Sequence, residues 1–217
     1  MTAEKNATET INEATETAVD ASANLLAQLA FLREVDKLKA VLRRSHLMDG
    51  SRQENSAEHS WHIAMAAVVL AEYSNAPVDI TRVLKMLLVH DIVEIDAGDT
   101  FAFDQVGKAS QSEREHVAAQ RLFGLLPTAQ AAEFQALWAE FEARETAESK
   151  FANAVDRLLP ALHNLANQGG TWRTPGVHRG LINGRLQPIG EGAAAVWAYI
   201  EKLLDEAQLL EYFAPEP

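Results

Sequence analysis

Apolar residues recur at three- and four-residue steps along this chain, and no convincing set of strand-like alternations interrupts them. Leu25, Leu29, Leu32, Val35, Leu38 and Leu42 form one such run. Trp61, Ile63, Ala66, Val69, Leu70 and Tyr73 form a second, and residues 83–89 a third. A repeat of about 3.6 residues gathers these positions on one face of a helix. The expected architecture is all-α.

Polar residues punctuate the helices. Asn55 or Ser56 caps the second, with capping-box spacing from Asn55 to Glu58, so Glu58 reads as a helix-capping acid. Asn75-Ala76-Pro77 closes that helix, and Asp79 or Thr81 opens the next. Further helices are expected over 113–125, 134–141, 147–165, 177–185 and around Val196–Leu204. Pro160 should kink or break the third of these. Segments 45–55 and 97–110 read as polar loops, and no internal repeat is evident.

A chain of 217 residues suits one well-cored domain. Residues 1–20, rich in Thr, Glu, Ala and Asn, read as an acidic tail, followed by a domain over 21–210 and a C-terminal tail over 211–217. A net charge of −12 argues against a nucleic acid polymer or an anionic membrane as partner. It leaves room for a small phosphate substrate, because a cation and a few arginines reverse the potential locally. No apolar run approaches the length of a membrane span, and the N-terminus lacks the basic and apolar regions of a signal peptide. A cytoplasmic location is expected.

Where the apolar run 83–89 ends, His90 and Asp91 stand side by side. Neighbours on a helix point about 100° apart, so one ion can meet both only at the rim of the helix. His59 lies at the start of an earlier helix, and Asp156 sits on an otherwise apolar face. His59, His90, Asp91 and Asp156 make a mixed nitrogen and oxygen set suited to a divalent cation. Each histidine alone reads better as a buried, hydrogen-bonded core residue. The carboxylates tip the balance, since burial on apolar helices is costly unless a cation offsets it. The chain has no cysteine, so any metal must be held by histidines and carboxylates. Four ligands on an octahedral ion leave about two positions, enough for a water and a phosphate oxygen.

Three ordered segments, residues 51–60, residues 89–99 and the helix around Asp156, resemble the HD-domain metal-dependent phosphohydrolases. Within them the chain is most similar to the 5′-deoxynucleotidase group, over residues 25–205. The resemblance implies a single HD-domain helical bundle with a metal site in its core, and a homodimer. It implies hydrolysis of nucleoside 5′-monophosphates, in the first place 2′-deoxynucleotides, to nucleoside and phosphate. Glu94 and Asp99 would orient or deprotonate the attacking water and contact the sugar or leaving group, with the choice of general base left open. Arg52 matches a substrate-binding position. A second such arginine is Arg43 by helix register and Arg44 by spacing from His59. The aromatic residue that often follows it in relatives is absent, its place taken by Ser45, His46 and Leu47. Two-metal relatives need further histidines between Asp91 and Asp156, and only His116 lies there, so one ion per subunit is expected: Mn, Co, Mg, Zn, Ni or Fe.

His62 is expected to pack or hydrogen-bond nearby, and Lys85, His163, Trp172 and Arg173 to line the pocket, a subunit contact or the core. Trp197, Tyr199 and Ile200 either pair subunits or finish the core. Two rival functions remain: a phosphodiesterase on a cyclic or activated nucleotide, and a non-catalytic helical module holding a structural metal.

Overall fold

The computed structural model describes residues 20–215, and it is an all-α bundle with one small hairpin. The tail expected over 1–20 lies, but for its last residue, outside the described residues. Helix α1 spans residues 20–35. It does not continue to Leu42, as the apolar spacing predicts. A 3₁₀ turn, Asp36–Ala40, ends it, and Val41 is already extended. Strand β1 (Leu42–His46) then pairs antiparallel with β2 (Gln53–Asn55). Leu42 faces solvent, so its place in the periodicity was coincidental.

Asn55 caps α2 (Ser56–Leu70): its side chain accepts from the Glu58 amide while the Glu58 carboxylate accepts from the Asn55 amide. Asp79 caps α3 (Ile80–Val89), accepting from the amides of Thr81 and Arg82. A 3₁₀ turn, His90–Val93, follows directly, then the short α4 (Glu94–Ala97). The expected polar loop beyond it contains a further turn, α5 (Gln105–Lys108), before α6 (Gln111–Phe123) and α7 (Thr128–Ala143).

Helix α8 (Ala147–Ala166) is the axis of the fold, with most of its side chains buried. Pro160 lies inside it and does not end it. The ring removes the N–H that would otherwise close on the carbonyl of Asp156, and packing on several sides keeps the helix going. Helix α9 (Arg179–Gly192), longer than the sequence indicated, packs along α8, and α10 (Ala194–Leu209) covers α9. Gly192 permits this approach, since a Cβ there would lie 2.3 Å from the Lys150 carbonyl oxygen.

Three apolar clusters make up the core, and α8 contributes to two of them. One joins α2, α3, α7 and α8 through Ile63, Met86, Phe141 and Phe151. Another joins α8, α9 and α10 through Leu158, Ile189 and Leu204. The third joins α1, α6 and α7 through Phe31, Phe123 and Trp138. Ile200 is buried and Trp197 packs on the second cluster, so α10 completes the core while Tyr199 stays exposed. Phe213 is buried edge-on against Trp172, carrying the packed structure past residue 210. Among the described residues no helix is long and apolar enough to cross a membrane.

Candidate metal centre

The N-terminus of α2, the α3–α4 junction and the middle of α8 meet at one point. His59 Nε2 lies 3.0 Å from Asp156 Oδ1. His90 Nε2 lies 3.0 Å from Asp91 Oδ1 and 3.6 Å from Asp156 Oδ1. All four side chains are buried. Ligand atoms of His59, His90 and Asp91 fall within 4.8 Å of one another, close enough to share an ion. The 3₁₀ turn at His90–Val93 makes this possible by ending the helix where the imidazole and carboxylate must converge.

The polar chemistry fits a cation. His90 Nδ1 stands 2.9 Å from the Leu87 carbonyl oxygen, which can only accept, so Nδ1 carries the proton of that bond. Its Nε2 is buried and forms no hydrogen bond, although two carboxylates are close by. Burial opposes the imidazolium of His90, yet Asp91 and Asp156 outweigh it and raise the pKa well above the ordinary value. A positive charge is therefore favoured at Nε2, a condition a bound metal meets. His59 is held similarly: its Nδ1 lies 3.2 Å from Glu54 Oε2, and its Nε2 is aimed at Asp156. A carboxylate on the outer nitrogen of an imidazole fixes the tautomer that leaves the inner lone pair free.

Around this point Glu54, Asp91, Glu94, Asp99 and Asp156 gather against Arg43 and Arg157. Arg43 Nη1 donates to Asp91 Oδ2 at 2.8 Å and lies 3.8 Å from Glu94 Oε1. Arg157 pairs with Asp156. Burial raises the Asp91 pKa, but His90 and Arg43 overcome it and bring it down to about 2. Asp156 is held well below the carboxylate range against its own burial, by Arg157 and the two histidines. Glu94 goes the other way: burial and the nearby Asp91 push it up to about 8, while Ser56 Oγ donates to its Oε2 at 2.6 Å. Burial also raises Asp99. Gly98 turns the chain before Asp99 with φ at +73°, a conformation glycine adopts without strain.

A cleft opens beside these groups, lined by Arg43, Arg44, Asp99, Phe101, Trp172 and Arg185 among others. The Arg44 guanidinium lies 5.8 Å from the centre of the Phe101 ring. The pattern that describes the HD domain matches residues 35–197 of this chain. The chain belongs to the HD domain family. In structure this HD domain is similar to a protein from Magnetospirillum magnetotacticum MS-1, a predicted metal-dependent phosphohydrolase. The two are 55% identical with a TM-score of 0.85, over 89% of this chain and 97% of the other. In sequence it is 32% identical over 131 residues to the 5′-deoxynucleotidase HDDC2 of Danio rerio, covering 60% of this chain and 64% of that protein. The human protein of the same name is also 32% identical, with 59% and 62% covered. The match thus spans less than two thirds of either of these curated relatives.

Of the residues expected at the site of this HD domain, His59, His90, Asp91, Asp156, Glu94 and Asp99 come together, and Arg43 and Arg44 join them at the cleft. Arg52 does not. It is 54% exposed and binds both Glu58 carboxylate oxygens, away from the cleft lining. Lys85 pairs with Glu133 on the surface, and Arg173 donates to the Gln168 carbonyl. His116 sits on α6 near Trp138. His62 and His163 lie together beside Glu54 as a second group with ligand spacing.

Three contributors escaped the sequence reading. Glu54 points inward because β2 alternates, and a three-residue polar strand gives too short a pattern to recognise. Arg157 follows Asp156 directly and was passed over for it. Arg185 carried a usable signal: it falls three residues after Ile182 and four before Ile189, on the face of α9 that both bury.

Proposed function

We propose that this HD domain is a divalent-metal-dependent phosphomonoesterase that hydrolyses nucleoside 5′-monophosphates, and 2′-deoxynucleotides in particular, to nucleoside and phosphate. The observation that carries the reading is the buried His90 Nε2, unbonded and facing two carboxylates, beside a cleft lined with arginines. His59, His90, Asp91 and Asp156 would hold one ion per subunit, of Mn, Co, Mg, Zn, Ni or Fe. When bound, such an ion supplies Lewis acidity to the phosphoryl oxygen and to the attacking water.

The residues of the chain supply the rest. Glu94, anchored by Ser56 and with its pKa pushed up to about 8, is a stronger base than an ordinary carboxylate, and its ionised form is suited to accept a proton from the water near neutral pH. Asp99, on the cleft wall just past Gly98, faces the leaving alcohol or the sugar. Arg43 and Arg44 balance charge on the phosphoryl oxygens, where a guanidinium's planar fork is well shaped for the task. Phe101, Phe103 and Trp172 give the nucleoside apolar walls, a part that the sequence next to Arg44 does not provide.

The exposed apolar faces of α1 and α2, where Leu26, Leu32, Trp61 and Val69 are all more than half exposed, support the reading of a homodimer. The absence of cysteine fits the reducing cytoplasm.

Phosphate release from a panel of deoxynucleoside, ribonucleoside and cyclic monophosphates, with Mn²⁺ or Co²⁺ supplied, tests the reading. Turnover of the deoxynucleoside 5′-monophosphates is expected to lead. Release from cyclic substrates alone would replace the monoesterase with a phosphodiesterase.

A further inference from the structure

A second cavity, of about 300 Å³, lies on the far side of the Arg157–Arg185 wall. Ala102, Phe103, Arg157 and Arg185 line both spaces. Lys108 from α5 and Arg144 at the end of α7 complete the charged lining of the second one, and no carboxylate lines it. In a chain with 31 acids against 19 bases, gathering these cations without an acid runs against the composition.

The cations are costly to one another. Burial lowers the Lys108 pKa, and Arg185 and Arg157 lower it further. Burial and Arg157 bring Arg185 down to about 9. Arg157 has Asp156 as a partner, but among the described residues Lys108, Arg144 and Arg185 have no ion-pair partner. Glu142 feels Arg157 and Arg144 but does not line the cavity, and Asp156 and Asp99, which offset part of the cost at Arg185, do not line it either. A cleft lined by one sign of charge focuses the field and concentrates counter-ions, here anions.

The scaffold around the cavity is built. Arg114 fastens the 97–110 segment through the Thr100 hydroxyl at 2.9 Å and the Gly107 carbonyl at 3.3 Å, which fixes Lys108 at the rim. Gly184 on the floor has open space where a Cβ would stand, so a ligand can lie against the backbone of α9.

We infer that this cavity is a second binding site, distinct from the cleft beside the metal centre, for a polyphosphate chain such as that of a nucleoside triphosphate. A single phosphate would answer only part of the charge, whereas linked phosphates bring about as many negative charges as the wall has cations. The inference does not depend on the reaction proposed above.

Calorimetric titration of the chain, as purified with its metal, with tripolyphosphate in excess magnesium tests it. One equivalent should bind. Affinity should fall at least tenfold in the double variant Lys108→Ala/Arg144→Ala, whose altered side chains are both exposed, and should be unaffected by a saturating nucleoside monophosphate. No binding, equal binding by the double variant, or displacement by the monophosphate would each overturn the inference.

Discussion

His59 and Asp156 stand 97 positions apart in the chain, yet Nε2 of one lies 3.0 Å from Oδ1 of the other in a fully buried setting. Neither belongs there on hydrophobic grounds. Their meeting joins α2 to α8 through a carboxylate that also faces His90 and pairs with Arg157. Asp156→Asn keeps the shape and removes the charge. It is expected to lose metal affinity by more than ~100-fold, beyond the range typical of outer-shell changes, while the helical circular dichroism is retained. Elemental analysis after gel filtration is the check.

Glu54 acts through His59 by fixing which imidazole nitrogen carries the proton. Glu54→Gln leaves an oxygen to accept that proton but removes the negative charge. Metal affinity should fall roughly 10-fold, with maximal turnover at saturating metal within a few-fold of wild type. A turnover loss that metal cannot restore would place Glu54 in the chemistry.

Glu94 has the opposite signature. Glu94→Gln should retain the metal and lose turnover by about 10²–10⁴-fold, the range for removing a general base. Single-turnover assays on variant protein of verified metal content separate this from a binding defect.

Stability after chelation should depend on pH through the same residue. The folded pKa of Glu94 is about 8 against an ordinary 4.5, so the folded chain holds the proton more tightly between these values. Stability from this source is complete below about 4.5 and falls as pH rises towards 8, by a few kcal/mol at most, at ~1.4 kcal/mol per unit. Chelated wild-type protein should melt lower at pH 8 than at pH 5.5. The Glu94→Gln variant should show a smaller difference.

Much of this was legible in the chain because local rules decided it. The Asn55–Glu58 capping box, the Asp79 cap and the stop of α3 at His90 are all set by neighbours in sequence. Three features were not legible, each for its own reason. The β1–β2 hairpin is short and polar, with a shifted register, so no alternation announces it. Pro160 remains helical because α8 is packed on several sides, which overrides the local penalty. Arg52 has the spacing expected of a substrate arginine, but the Glu58 carboxylate that caps α2 also captures it.

Anomalous scattering from crystals grown with Mn²⁺ or Co²⁺ tests the central claim most directly. One strong peak per subunit is predicted, within about 2.0–2.3 Å of His59 Nε2, His90 Nε2 and oxygens of Asp91 and Asp156. A peak instead between Glu54, His62 and His163, or none beside the His90–Asp91 pair in crystals that bind metal, would contradict it.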